Sequence, residues 1–291
     1  MGSISSLFGY ILNFIYELVQ NYGLAIIIFS VLLKLILLPL SIKQQKTMKK
    51  TAKIQAKVKE LQEKYKNDQM RMNQEMMDLY KKENMSPFSG CLSSIIQILL
   101  LLAIFGLVRN PLTYMKKVDM DTINNYKTEM QQNEKTISAN YPEISILKYV
   151  NENKGAEDSL YINMNFFGLD LSNIPQENLN NPTVYIIPAL YVLTSLISMK
   201  ITTKMTQKND KKDEIIEIKS EKNKDKEEAD PQDMATQMNK SMSWFLPVMS
   251  VSIAIIAPLG LALYWLVNNI LMIAERLILN KVIKSEEEQN G

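Results

Sequence analysis

Residues 21–50 read NYGLAIIIFSVLLKLILLPLSIKQQKTMKK, and the change of character inside this stretch decides the fold. From 22 to 42 the run is apolar apart from Lys34 and Pro39. At about 1.5 Å per residue it is long enough to cross a hydrocarbon core of roughly 30 Å as one helix. Lysines then follow in quick succession. No Lys or Arg precedes Lys34, whereas residues 43–82 hold twelve. The bias of basic residues toward the cytoplasmic side therefore puts the N-terminus outside and the segment after the first span inside.

Working outward, the same alternation of solvents runs through all 291 residues, so the overall 46% hydrophobic and 22% charged content, with a net charge of +2, is a mean over two environments. Further apolar blocks at 89–109, 183–200, 241–257 and 260–280 join the first at 21–42 to give five predicted transmembrane helices. The last two are separated only by the Pro258-Leu259-Gly260 turn, which forces a tight helical hairpin. Residues 110–182 carry six Lys and ten acidic residues, which suits an extracytoplasmic loop. Residues 201–240 form a charged cytoplasmic linker, of which roughly Met205 to Asp233, of mixed charge and without aromatics, is expected to be mostly disordered, and 281–291 a cytoplasmic tail. The apolar centres 183–199 and 242–257 are 17 and 16 residues long. As helices these reach about 25 Å, so a locally thinned membrane is expected around them.

Residues 1–20 form an element of their own. Leu7, Phe8, Ile11, Leu12, Ile15, Leu18 and Val19 recur at helical spacing with Asn13, Glu17 and Gln20 opposite, the pattern of an amphipathic helix lying in the outer interface. A signal peptide would need a basic start and a small-residue cleavage site, and neither is present.

In the cytoplasmic segment 43–88, Thr47, Thr51, Ile54, Val58, Leu61 and Tyr65 step by four and three; Asn67-Asp68 breaks the run and Met72, Met76 and Leu79 resume it. This spacing predicts an antiparallel coiled-coil hairpin. Twelve basic against six acidic residues make it a surface for acidic partners. Lys49, Lys50, Lys53 and Lys57 are its candidate docking residues, with a plain structural spacer as the alternative.

The chain contains no histidine and one cysteine, Cys91. Imidazole general bases, His-dependent triads and dyads, His-ligated zinc and an internal disulfide are thereby excluded, as are cysteine-only metal clusters. No glycine-rich phosphate loop is present, and neither a cofactor nor a catalytic step is expected. The candidate functional residue is Lys34, about eight residues from the end of its span and therefore roughly 12 Å from the interface. A lysine near the bilayer centre costs about 2.5–3.5 kcal/mol on insertion scales, so it should face protein or water. Glu275 is the one acidic residue in the apolar blocks and stands beside Arg276, with which it could equally pair; Lys34 therefore has no obvious permanent partner. A hydrophilic pocket is expected, with Ser30, Gln97, Ser195, Asn268 and Asn269 as candidate lining and Trp265 as a packing or interface aromatic.

In order and spacing, the first-span stretch 21–46, KIQAKVKELQEKYKND, NQEMMDLYKKENMSPFSGCL, FFGLDLSNIP, MNKSMSWFLPVMS and PLGLALYWLVNNI resemble the YidC family of membrane protein insertases, which has relatives in mitochondria and chloroplasts. The resemblance implies an all-α, five-helix core with a groove open to cytoplasm and lipid and closed toward the outside. It places the family's groove arginine on Lys34, its polar second-span residue on Gln97 and the tryptophan of its LYW motif on Trp265. Ser93 stands where relatives often have proline. The compact form of a bacterium with a single membrane is expected, with nascent membrane proteins as clients and the Sec translocon, the ribosome or targeting factors and the lipid bilayer as partners; DNA is not one. A secondary transporter coupled through Lys34 and a scaffold built on the coiled coil are the rival readings. The first usually shows internal repeats, and none is seen here.

Overall fold

The computed structural model describes the backbone of residues 2–66, 68–83, 89–210 and 253–289, and side chains for all of these except 48–49, 51–53, 55–56, 59, 89–97, 202–210 and 283–289. Within them the chain is mainly helical. Helix α1 (Gly2–Val19) ends where Gln20 takes a positive φ of 51°, and α2 (Tyr22–Lys64) starts at once because the Asn21 side chain accepts from the Leu24 amide at 3.0 Å. A two-residue break thus folds α1 back against α2. Gly9 is what lets α1 lie so close to the cap described below, since a Cβ there would overlap the Tyr114 carbonyl.

Helix α2 runs unbroken through Pro39 for 43 residues, about 65 Å, so the first span and the first arm of the hairpin are one helix. Asp68 caps α3 (Gln69–Lys82) by accepting from the Arg71 amide, and α3 turns back along α2. Lys57 meets Glu83 at 2.9 Å, and the Tyr65 hydroxyl donates to Glu75 at 3.3 Å. Between the two helices Ile54 and Met72 are buried, both on the heptad seam.

Helix α4 (Ser89–Arg109) buries Ala103, Ile104, Leu107 and Val108 against α1, where the Ser5 hydroxyl donates to the Ala103 carbonyl at 2.8 Å. Its other face presents Ile98, Leu99, Leu101 and Leu102 outward, as a lipid-facing surface would.

Residues 110–182 are more than the loop expected of them. They build a folded cap from α5 (Pro111–Tyr114), α6 (Met120–Gln132), α7 (Pro142–Asn153) and a small antiparallel pair, β1 (Asn165–Phe166) with β2 (Leu169–Asp170). Leu112, Met115, Ile123, Ile146, Leu147, Val150 and Ile162 fill its interior, which is continuous with the core between the long helices. Helix α8 (Ile186–Asp210) leaves the cap through a 3-10 turn and carries its helix to Asp210, past Met205, where the segment expected as disordered linker begins; the remainder of that linker lies outside the described residues.

The last helix, α9 (Leu259–Gln289), is anchored by the cap. Its first amides would be unpaired after Pro258, and the cap supplies the acceptors: Leu259 donates to the Asn173 carbonyl and Gly260 to that of Leu171, both at 2.9 Å. It packs on α8 and α2 and touches α4, and it remains helical into the expected tail. Among the described residues, four helices are long and apolar enough to cross a membrane: Gly2–Val19, Tyr22–Thr47, Pro182–Ile201 and Leu259–Val282. The 20-residue third of these reaches about 30 Å, which removes the expected shortness, and with it the case for a thinned membrane, at that span. The expected span 241–257 lies outside the described residues except for its final residues, of which 253–256 are helical.

Candidate functional site

Two long apolar helices each bring one charge to the same level. On α2, Ser30 and Lys34 are one turn apart and so share a face; on α9, Asn268 and Glu275 are seven residues, two turns, apart and share another. Where α2 and α9 pack, the Lys34 ammonium lies 2.6 Å from Glu275 Oε2, with the two side chains 22% and 10% exposed. Lys34 therefore does have a partner, contrary to the reading of the sequence. The pairing joins residues 241 positions apart, and the choice between it and the neighbouring Arg276 is made by helix packing, which periodicity does not reveal. Glu275 uses a single oxygen; its Oε1 is buried without a hydrogen-bond partner among the described residues.

The other expected residues divide. Ser30 is buried, and its hydroxyl donates to the Ile26 carbonyl of its own helix at 2.7 Å, so its one proton is already used within α2. Asn269 donates to Ser195 at 2.6 Å and ties α9 to α8. Trp265, half-buried, stacks at a tilt on Tyr191 with centroids 5.8 Å apart across the same pair of helices. Asn268 is half-buried. Gln97 lies on α4 with its side chain outside the described ones, as are the side chains of Lys49 and Lys53 on the cytoplasmic arm. Lys50 is exposed there, and Lys57 is engaged by Glu83, whose carboxyl is held below the ordinary range by that hydrogen bond.

The cap holds a second polar centre that the sequence did not announce. Lys154 meets Glu129 at 2.8 Å and lies 4.2 Å from the centroid of the Tyr126 ring; Tyr149 donates to Glu129 at 2.9 Å and Tyr126 to Asp158 at 2.6 Å. The hydrogen bond from Lys154 lowers the Glu129 pKa; burial, the largest single influence, pulls Lys154 down, but the Glu129 hydrogen bond together with the charges of Tyr126, Glu129 and Asp158 outweighs it, and its pKa is raised. Glu143 is buried and accepts from the Thr113 hydroxyl at 2.6 Å and the Thr113 amide at 3.0 Å. Burial raises its pKa despite those bonds. These groups join α5, α6 and α7 to one another, and among the described residues no cluster of acidic or sulfur side chains has metal-binding geometry.

A family model described as 60Kd inner membrane protein matches residues 14–287. The membrane protein insertase YidC of Geobacter sp. (strain M21) is 30% identical over 283 residues, covering 97% of this chain and 38% of the relative. That of Geobacter metallireducens is 28% identical over 281 residues, 95% of this chain and 36% of the relative. A third, from Caldanaerobacter subterraneus subsp. tengcongensis, is 40% identical over 109 residues, 38% of this chain and 53% of its own length. The chain thus spans well under half the length of the two Geobacter relatives, at 36% and 38%.

Proposed function

The chain belongs to the 60Kd inner membrane protein family, the YidC family, as a multi-pass protein of the bacterial membrane, and from that premise we propose that it inserts and helps fold nascent membrane proteins. The observation that carries this is the ammonium of Lys34, kept inside the apolar helices rather than at their ends. A fixed cation there attracts carboxylates in a medium where they are otherwise costly to desolvate. In this reading a client's hydrophilic, acidic tail enters from the cytoplasm along the α2–α9 seam while its apolar segment partitions into lipid beside α2. Burial of a span of roughly 20 residues supplies the driving force, and an inside-negative potential adds about 2.3 kcal/mol per 100 mV for each acidic charge carried fully across. No nucleotide hydrolysis is required.

The rest of the molecule takes its role from this seam. The cap holds the start of α9 and in this reading closes the outer end; α1, which packs on α2, α4 and α5, is taken to lie in the outer interface, and the bias of basic residues toward the cytoplasmic side supports an outer N-terminus and a cytoplasmic C-terminus. The α2–α3 arm stands off the cytoplasmic face as a coiled-coil dock for the ribosome or targeting factors, with Lys49, Lys50 and Lys53 as its docking residues and Lys57 held by Glu83. A Sec translocon is the expected neighbour for larger clients.

The test is reconstitution in liposomes with a small client bearing an acidic N-terminal tail, comparing wild type with Lys34→Ala, Lys34→Arg and Lys34→Glu. Insertion that needs the protein, survives Lys34→Arg and is lost in Lys34→Glu supports the charge-assisted seam. Equal insertion by all four makes Lys34 structural, and insertion no better than empty liposomes points to a scaffold or an obligatory partner.

A further inference from the structure

We propose that Glu275 is the resting occupant of the Lys34 site, a carboxylate of the protein's own that an incoming acidic segment must displace. This deepens the insertase reading and rests on Lys34 being the seam's receptor for client carboxylates.

Three observations carry it. The first is the incompleteness of the pair. An ion pair removed from water persists as a structural element when its remaining lone pairs are also satisfied, yet Glu275 bonds Lys34 through Oε2 alone while its buried Oε1 has no partner among the described residues. Such a carboxylate is a poor competitor for the cation it sits on. The second is the chemistry of exchange. A lysine ammonium is a compact point charge with three rotatable donors, indifferent to the orientation of the carboxylate it receives. Replacing one carboxylate by another keeps the charge in the seam balanced at each stage, so neither a bare ammonium nor an uncompensated client carboxylate has to form first. The third is access. Lys34 is 22% exposed, and Val31, one turn earlier on the same face of α2, is 38% exposed, so the site opens along that face where an entering apolar segment would lie. The displaced Glu275 remains under the field of Arg276, its neighbour in sequence, whose charge already acts on it.

The consequence is selectivity by competition. A neutral tail has nothing with which to displace Glu275 and leaves the pair closed, whereas an acidic tail opens it. Glu275 would then set a threshold that weakly acidic clients fail to cross.

The test follows the pair itself, apart from insertion. A membrane-permeant carbodiimide joins a lysine to a carboxylate in contact with it, so wild-type protein in liposomes should yield a Lys34–Glu275 amide detectable by peptide mass spectrometry. Adding a synthetic apolar peptide with an aspartate-bearing N-terminal tail should reduce that product several-fold and yield a peptide–Lys34 amide instead, while the asparagine version of the peptide should do neither. In Glu275→Gln the peptide–Lys34 product should rise several-fold over wild type, with Glu275→Asp in between. A Lys34–Glu275 product indifferent to the acidic peptide, or reduced equally by the asparagine version, overturns the proposal, and the wild-type arm decides this even if the variants fold poorly. Exchange without client insertion in the same liposomes would retire the insertase reading and leave the exchange standing. Insertion without exchange would do the reverse.

Discussion

Lys34–Glu275 in the membrane bundle and Lys154–Glu129 in the cap are the same chemical pair at nearly the same separation, 2.6 and 2.8 Å, and their surroundings give them opposite characters. In the cap every partner is itself held: Tyr149 donates to Glu129, Asp158 lies 3.9 Å from Lys154 and receives the Tyr126 hydroxyl, and the ammonium rests over the Tyr126 ring. A network closed in this way fixes helices against one another. In the bundle the carboxylate has one bonded and one unbonded oxygen, and the ammonium stands at the flank of its helix. An ion pair reads as structure or as a site according to whether its remaining polar atoms have partners of their own.

The largest expected effect separates the two centres outright. Lys34→Glu sets two carboxylates face to face in the seam, and insertion of an acidic-tailed client should fall more than tenfold, equivalent to about 1.4 kcal/mol or more, while hydrogen exchange in the cap stays at wild-type rates. Lys154→Met should do the converse. Loss of a partly exposed ion pair and of its cation–π contact removes about 1–2 kcal/mol, read as faster exchange of the α6 and α7 amides and a lower melting temperature. Insertion measured below that temperature should be unchanged. If Lys154→Met abolished insertion in a folded protein, the division between a structural and a functional centre would fail.

Acid sharpens the comparison further, because two carboxyls of the cap are shifted in opposite directions. Glu143, raised by burial, opposes folding while it is ionised, so its contribution improves as pH falls from its raised value toward the ordinary glutamate range near about 4.3. Glu129, lowered by Lys154, stabilises the fold above its unfolded value, and that contribution is lost as pH falls below about 4.3 toward its native pKa. Lys154, raised, adds stability that is complete below its unfolded value and is lost only at strongly alkaline pH, outside this window. Protection of α6 and α7 should therefore pass through a shallow maximum on acidification from neutrality and then collapse. Glu143→Gln should remove the rising limb and leave the collapse, as a pH series of hydrogen exchange would show.

The sequence spoke most clearly where one physical requirement dominates. An apolar run as long as the start of α2 is legible because a membrane demands it, and Lys34 stands out because it violates the run. Glu275 was visible as the one acid in the apolar blocks, yet its partner was settled by the packing of α9 on α2 rather than by spacing along either helix. The cap was nearly silent. Its helices are of 4, 13 and 12 residues, and α6 is largely polar, with Ile123 and Met130 as its buried contacts. A core assembled from isolated residues on many short pieces leaves no period to read. The capping of α9 by the Leu171 and Asn173 carbonyls was equally hidden, since main-chain acceptors have no residue signature.

The smallest expected effect tests which property of Lys34 matters. Lys34→Arg keeps the charge and replaces a point donor with a planar fork able to grip both oxygens of a carboxylate. If the seam needs only a cation, insertion should stay within about twofold of wild type, well under the tenfold that 1.4 kcal/mol represents. The fork, however, offers Glu275 Oε1 the bond it lacks, and a better-satisfied resident carboxylate is harder to displace. Insertion of a strongly acidic client by Lys34→Arg should therefore be slightly slower than by wild type, and Lys34→Arg combined with Glu275→Gln should recover it. Full recovery in the double variant would place the difference in the resident pair; a deficit that persists without Glu275 would place it in the fit of the guanidinium to the client.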